Sequence, residues 1–206
     1  MLLDKTVREL LAAVSSPDPT PGGGSAAALS GALGASLLIM VASLSRTRTG
    51  SDDEKAALAT VAGALTGIRR ELADAVDADT VAYDGVIAAY KLPKASADDQ
   101  HARTAAIGRA LRVATEVPLD VIRLSAAALA EGEPVARHGH RGAASDVGVA
   151  IALLRAAVHG ARLNVEANLA GIRDEAYVAG IRGRLARHLA IAETAANTSA
   201  TVLANG

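Results

Sequence analysis

Apolar residues recur at helical spacing along almost the whole chain and nowhere alternate with polar ones for long enough to make a strand. Leu3, Val7, Leu10, Leu11 and Val14 mark a short amphipathic first helix, which Pro17 to Gly24 interrupts. From about Ser25 to Ser45 no residue is charged and apolar positions fall on every side, which predicts a helix surrounded by others. Its small residues Ala28, Gly31, Ala32 and Ala35 favour close backbone packing. Ser51 followed by Glu54 reads as a capping box and opens a helical pattern that continues to about Leu92, where Pro93 ends it. Gly63, Gly67 and Gly85 are the places where so long a helix can bend. Ser96 with Asp99 opens the next helix, with a kink or break expected at Pro118. Residues 131–144 are polar and glycine-bearing, which predicts a second loop. Ser145 or Asp146 then starts a helix to about Leu169, and Asp174 caps a last one to about Val202. The expectation is an all-α, up-and-down bundle of five to seven helices with one long central helix. No linker or internal repeat divides it, so one domain is expected over residues 1–206.

Composition strengthens the helical reading and removes several functions. Half the residues are apolar, yet Phe and Trp are absent and only Tyr83, Tyr90 and Tyr177 are aromatic. The core must be built from Ala, Leu, Val and Ile, and alanine favours helix. The net charge is −1 with both signs interspersed, which argues against a nucleic-acid partner, for which a basic face and stacking aromatics are the usual marks. Cysteine is absent, so there is no disulfide, thiolate metal site or cysteine nucleophile. The uncharged stretch from residue 25 to 45 is long enough to span a bilayer. Its serines and glycines, and the charged Asp4, Lys5, Arg8 and Glu9 before it, favour instead a buried helix of a cytoplasmic protein with no membrane partner.

The loop before that helix carries the first chemical signal. Pro17, Pro19 and Pro21 make a stiff, extended lead-in, and Gly22, Gly23 and Gly24 present bare N–H groups. Ser25 is placed to cap the helix, and the whole forms a cradle for an anion or dipole. It is no phosphate-binding Walker loop, because Ser25-Ala26 stands where Lys-Ser/Thr is needed, and no strand precedes it as a dinucleotide fold requires.

Asp79, Tyr83 and Tyr90, at spacings of four and eleven, share one helix face. They read as a base with two rings able to stack on a ligand, or alternatively as part of a solvated face with Asp77 and Asp84. Lys94 and Arg103 flank the following turn and read as carboxylate-binding cations or as plain surface charges. His138 and His140, between Arg137 and Arg141, lack a third ligand for zinc and read as a flexible cationic loop. Asp146 reads as a helix cap or a site carboxylate. Asn164 and Asn168 share a face, but Asn164 lies roughly 27 Å along the helix from Asp146. One protomer therefore cannot bring both to one ligand head group, which makes a dimer attractive.

In ordered series these residues resemble the cyclodeaminase/cyclohydrolase family of folate enzymes, over nearly the whole chain. The resemblance is carried by Pro21-Gly22-Gly23-Gly24-Ser25 running into the Ala-rich helix that ends Met40-Val41-Ala42, then Asp77-Ala78-Asp79, Ala82-Tyr83, Leu92-Pro93-Lys94 and Arg103-Thr104-Ala105-Ala106. Val117-Pro118-Leu119, Ser145-Asp146, Asn164-Val165 and Asn168-Leu169 continue it. It implies an all-helical homodimer that takes a tetrahydrofolate derivative as substrate and needs no cofactor or metal. It implies hydrolysis of 5,10-methenyltetrahydrofolate first, and cyclodeamination of 5-formiminotetrahydrofolate second. A non-catalytic folate-binding dimer is the third reading. Asp79, Lys94 and Asp146 are the implied catalytic residues. Pro21, Gly22, Gly23, Gly24, Ser25, Tyr83, Arg103, His140, Asn164 and Asn168 are the implied substrate-binding ones. The chain departs from the family where Tyr83 stands for a frequent Phe and His140 for an Asn.

Overall fold

A computed structural model describes residues 1–205. Among them seven α-helices follow one another: α1 (Val7–Val14), α2 (Gly23–Ala42), α3 (Asp52–Tyr90), α4 (Ala97–Ala130), α5 (Gly132–His138), α6 (Ala144–Leu169) and α7 (Glu175–Ala204). Short 3-10 turns occupy Leu2–Asp4 and Arg141–Ala143. Among the described residues the only extended pairing is an isolated bridge between Thr47 and Gly139.

The uncharged helix lies centrally, in contact with α3, α4 and α6, but Leu33 and Met40 on its remaining face are exposed in the protomer. α2 packs between α3 and α6, with α4 behind it. It is long and apolar enough to cross a membrane, but over half of that stretch is buried against the other helices. The longest helix, α3 with 39 residues, is a different one, so length and centrality belong to separate elements. α2 and α6 run antiparallel at close range. Ala27 lies against Gly160, Gly31 against Ala157, and Gly34 against Ala150 and Leu154. Small residues on both helices make that approach possible, and Ala28, Ala35, Ala150, Leu154, Ala157 and Ala161 are wholly enclosed. The register sets the N-terminus of α2 beside the C-terminal half of α6.

Three local expectations change. The lead-in does not run straight but bends repeatedly between Ser16 and Pro21. Residues 131–144 are no loop. Gly132–His138 is helical, because Val135 and Ala136 bury their side chains while Arg137 pairs with Glu133 one turn away. The backbone N–H of Arg48 donates to the His138 carbonyl at 2.8 Å, pinning the segment that follows. Pro118 neither breaks nor ends α4.

Ser51 caps α3 by accepting the Glu54 N–H at 3.2 Å, but Glu54 does not complete a capping box. Its buried carboxylate accepts from the Thr47 hydroxyl (2.6 Å) and from the backbone N–H groups of Thr49 (2.8 Å) and Gly50 (3.2 Å). Gly50 takes a left-handed φ of 85° that suits glycine. These bonds, the Thr47 hydroxyl foremost, stabilise the ionised form and bring the pKa from 4.5 to about 2. A group depressed in the folded state lends its stability in full above the unfolded pKa and loses it as pH falls toward the folded one. Glu54→Gln is therefore expected to lower the melting temperature at pH 7 and to flatten the loss of stability between pH 4.5 and about 2. Thermal unfolding at a series of pH values reads this out, and parallel curves for the two proteins would refute it.

Candidate active site

The N-terminus of α2 meets the middle of α3, the C-terminal half of α6 and one turn of α4, and the four enclose a cleft of about 250 Å³. Gly22, Gly23 and Gly24 form one wall; Asp79 and Tyr83 come from α3; Asn164 and Asn168 come from α6. Pro19, Thr20, Ala114 and Ala167 complete it. No sequence signal marked Ala114 or Ala167, whose methyl groups supply only shape.

Gly22, not Ser25, is the N-cap of α2, and Gly23 and Gly24 already lie within the helix. Ser25 turns its hydroxyl to α3 instead, donating to Asp79 Oδ2 at 3.0 Å and lying 3.3 Å from the Thr80 hydroxyl. The Asp79 carboxylate lies close against the first turn of α2. A methyl group at Gly24 would overlap Asp79 Oδ1 and lie 2.7 Å from Oδ2, so the position has room only for hydrogen. At Gly23, by contrast, a methyl group would sit 3.7 Å from Asn164 Nδ2, in ordinary contact. The fixed point of the glycine run is thus Gly24. Thr20 ties the loop to α3 by donating to Asp84 at 3.3 Å.

Burial raises the Asp79 pKa above its ordinary value, and the Ser25 hydroxyl and N–H pull it partly back. A carboxylate so placed is a stronger base than a solvated one. Ser25→Ala removes the hydroxyl donor that opposes burial, so the Asp79 pKa is expected to rise further. The acidic limb of the kcat/KM profile should then move to higher pH with the fold intact. An unmoved limb would show that Ser25 does not tune Asp79.

Asn168 has a second task, set in another helix. Pro118 has no N–H, so the Ala114 carbonyl one turn earlier loses its helical donor. Asn168 Nδ2 supplies the missing bond at 2.7 Å. Asn164 Nδ2 similarly donates to Gly160 O at 2.9 Å. With both amide nitrogens held by backbone, the two amide oxygens remain as acceptors at the cleft. Asn168→Ala is expected to cost about 1–3 kcal/mol through the orphaned carbonyl, measured by denaturant unfolding. A cost near zero would mean that water replaces the amide.

The remaining sequence-selected residues lie elsewhere in the protomer. Pro21 precedes the cleft without lining it. Lys94 is exposed, which denies it the burial that a proton shuttle needs. Arg103 donates to the Tyr90 carbonyl through Nε (3.3 Å) and Nη2 (3.0 Å), and stacks on the Tyr90 ring at 5.4 Å. That places it three turns of α3 from Asp79, about 16 Å along the axis. Asp146 is not the N-cap of α6; Ala143 is, and Asp146 sits inside the first turn. His140 lies just before it, its Nδ1 accepting from the Gly142 N–H at 3.1 Å. Both are at the opposite end of the α2–α6 pair from Asp79. Among the described residues no group of three or more His, Cys, Asp and Glu side chains comes together as metal ligands would.

This scaffold is shared with known proteins. The formiminotransferase-cyclodeaminase family profile matches residues 6–187. The chain belongs to that family. A member named methenyltetrahydrofolate cyclohydrolase, from Methylorubrum extorquens, is 38% identical over 84% of each chain. The formimidoyltransferase-cyclodeaminase of Sus scrofa is 33% identical over 95% of this chain, which spans 36% of that longer protein. In structure, the family member described as formiminotetrahydrofolate cyclodeaminase from Thermotoga maritima superposes over the full length of the chain with a TM-score of 0.88 at 28% identity.

Proposed function

We propose that this family member is a cytoplasmic folate one-carbon enzyme that hydrolyses the methenyl bridge of 5,10-methenyltetrahydrofolate to 10-formyltetrahydrofolate, with Asp79 as general base. The observation that carries the reading is the half-buried Asp79 carboxylate, raised in pKa and held against the first turn of α2 inside a cleft with a tyrosine and two carboxamides. Its likeness to a cyclohydrolase over 84% of both chains favours hydrolysis over deamination.

The bridge carbon is an amidinium cation, and it accepts water to give a tetrahedral carbinolamine. Asp79 takes a proton from the attacking water as the new C–O bond forms. The carbon–N5 bond then breaks, its electron pair stays on N5, and the proton held by Asp79 passes to N5. One proton in all is released to solvent, because a cation has become a neutral formamide. Neither metal nor organic cofactor enters this balance. The carboxamide oxygens of Asn164 and Asn168 accept hydrogen bonds from the pterin, Tyr83 packs on its ring, and the first turn of α2 offers N–H groups to a carbonyl. Arg103, about 16 Å along α3 from Asp79, is the cation offered to the glutamate end of the same ligand, with Lys94 the second candidate.

The homodimer belongs to this proposal. On α2 the positions 26, 30, 33, 37 and 40, and Leu44 just after it, carry no charge, and Leu33, Met40 and Leu44 are 50%, 39% and 38% exposed. On α6 they adjoin Val149 and Leu163, at 50% and 54%. A second copy packed antiparallel across this apolar face brings its Asp146 and His140 end beside the first copy's Asp79 cleft. Cyclodeamination is the second reading, supported by the structural likeness to the Thermotoga cyclodeaminase.

The test offers purified protein 5,10-methenyltetrahydrofolate and 5-formiminotetrahydrofolate separately and follows the methenyl chromophore. Its loss from the first, faster than in buffer, supports hydrolysis; its appearance from the second supports deamination. Silence with both substrates would overturn the enzyme reading.

A further inference from the structure

At the opposite end of α2 from the cleft, the turn from Ser45 to Gly50 and the start of the 3-10 turn at Arg141 enclose a second concavity, of about 390 Å³. Four permanent cations line it, Arg46, Arg48, Lys55 and Arg141, together with His140, and no carboxylate does. Like charges gathered round one hollow repel, so something must hold them there. The buried Glu54 does so from behind the wall, fastening Thr47, Thr49 and Gly50 through three bonds of 2.6–3.2 Å. The Arg48 N–H bond to His138 and the Thr47–Gly139 bridge clamp that turn to the segment bearing His140 and Arg141.

The cations are unequally occupied. Lys55 pairs with Asp52 at 2.9 Å, and Arg48 Nη2 donates to the Ala136 carbonyl at 3.0 Å. Arg46 and Arg141 have no acceptor among the described residues, so two guanidinium forks remain on a rigid, concave wall. A guanidinium fork matches a carboxylate or phosphate with two parallel hydrogen bonds. With cations on opposite sides of one hollow, a ligand bearing several linked anionic groups engages more of them than a single ion can.

From this geometry we infer that the hollow is a binding site for an oligoanion, a flexible chain of carboxylates or phosphates, held by Arg46 and Arg141. The hollow is lined by residues of one protomer and lies nearly the length of α2, about 30 Å, from that protomer's own Asp79. It does not depend on the folate reading.

Titration calorimetry on the full chain in low salt, with tri-γ-glutamate and with tripolyphosphate, tests it. At least one is expected to bind at a single site per protomer, with an affinity that falls about tenfold or more as salt is raised. Arg46→Gln with Arg141→Gln should weaken binding by about tenfold or more, while Asp79→Asn leaves it unchanged. Binding of the glutamate chain alone identifies a carboxylate tail as the ligand, and binding of the phosphate chain alone identifies a phosphate; either supports the site. Both arginines are on the surface, and an unchanged far-ultraviolet spectrum confirms that the double variant folds. Absence of binding by both chains overturns the inference, as does equal binding by the double variant. Loss of binding in Asp79→Asn would place the anion in the other cleft and overturn it as well.

Discussion

Asp79→Asn is expected to lower kcat by about 10²- to 10⁴-fold while the protein folds normally. Asparagine has the shape of aspartate and keeps an oxygen to accept the Ser25 hydroxyl, so the first turn of α2 retains its contact. What disappears is the group that takes the proton from water. Stability should move the other way from activity. Because burial raises the Asp79 pKa, its ionised form is disfavoured in the folded state, and above that pKa the charge costs stability. The neutral amide relieves that cost, and a melting temperature at pH 7 equal to or above that of the parent is expected. A catalytic group commonly carries this trade between activity and stability. Turnover within a few-fold of the parent would remove Asp79 from the mechanism. A large fall in melting temperature would make its role structural.

The second large effect concerns one glycine on the seam that builds the cleft. Gly34→Ala is expected to destabilise the protein by about 1–3 kcal/mol, although alanine is the better helix former by up to about 1 kcal/mol. A methyl group there would lie 2.8 Å from Leu154 Cγ, 2.9 Å from the Ala150 carbonyl oxygen and 3.2 Å from the Leu154 nitrogen. Two of those atoms are backbone of α6 and cannot swing aside, so the helices must separate and loosen an enclosed core. Gly183→Ala on the exposed surface of α7 is the matched control, because a methyl group there meets nothing within 4 Å. It should stabilise by about 0.5–1 kcal/mol. Denaturant unfolding of the two variants should therefore give opposite signs. Two stabilised proteins would show that the α2–α6 approach is softer than its contacts imply.

Most helices were legible because each of these leaves a local mark. Thr6, Ser51, Ser96 and Asp174 all accept a backbone N–H at helix starts, as their side chains suit them to do. Where local rules failed, a distant group had intervened. Pro118 removes a helical bond, yet α4 continues, because Asn168 on another helix supplies the missing donor. Glu54 has the spacing of a capping box, but the Thr47–Gly50 turn offers it three donors and takes it. Gly132–His138 looks like a loop from its Gly, Pro and charges. It is a helix because Val135 and Ala136 have a core to enter.

The site divides in the same manner. Asp79 with Tyr83, and Asn164 with Asn168, could each be placed on one face from a spacing of four residues, and a glycine run before an uncharged helix announced a special turn. That these three pieces face one cleft is a matter of register between α2, α3 and α6, and no local spacing encodes it. Register also decides what one protomer cannot assemble. Because α2 and α6 are antiparallel, Asp146 and His140 lie at the far end from Asp79, beside an arginine-lined hollow that the chain's net charge of −1 conceals. The amino-acid order by itself determined every helix but α5, the uncharged stretch of α2 and the chemistry available on each face, since these depend on neighbours a few residues apart. Only the tertiary structure decided that Gly24 is the position closed to any side chain, that Ser25 serves Asp79 instead of capping, and that Asn168 repairs α4. Each is a contact between groups more than fifty residues apart, fixed by how closely four helices pack.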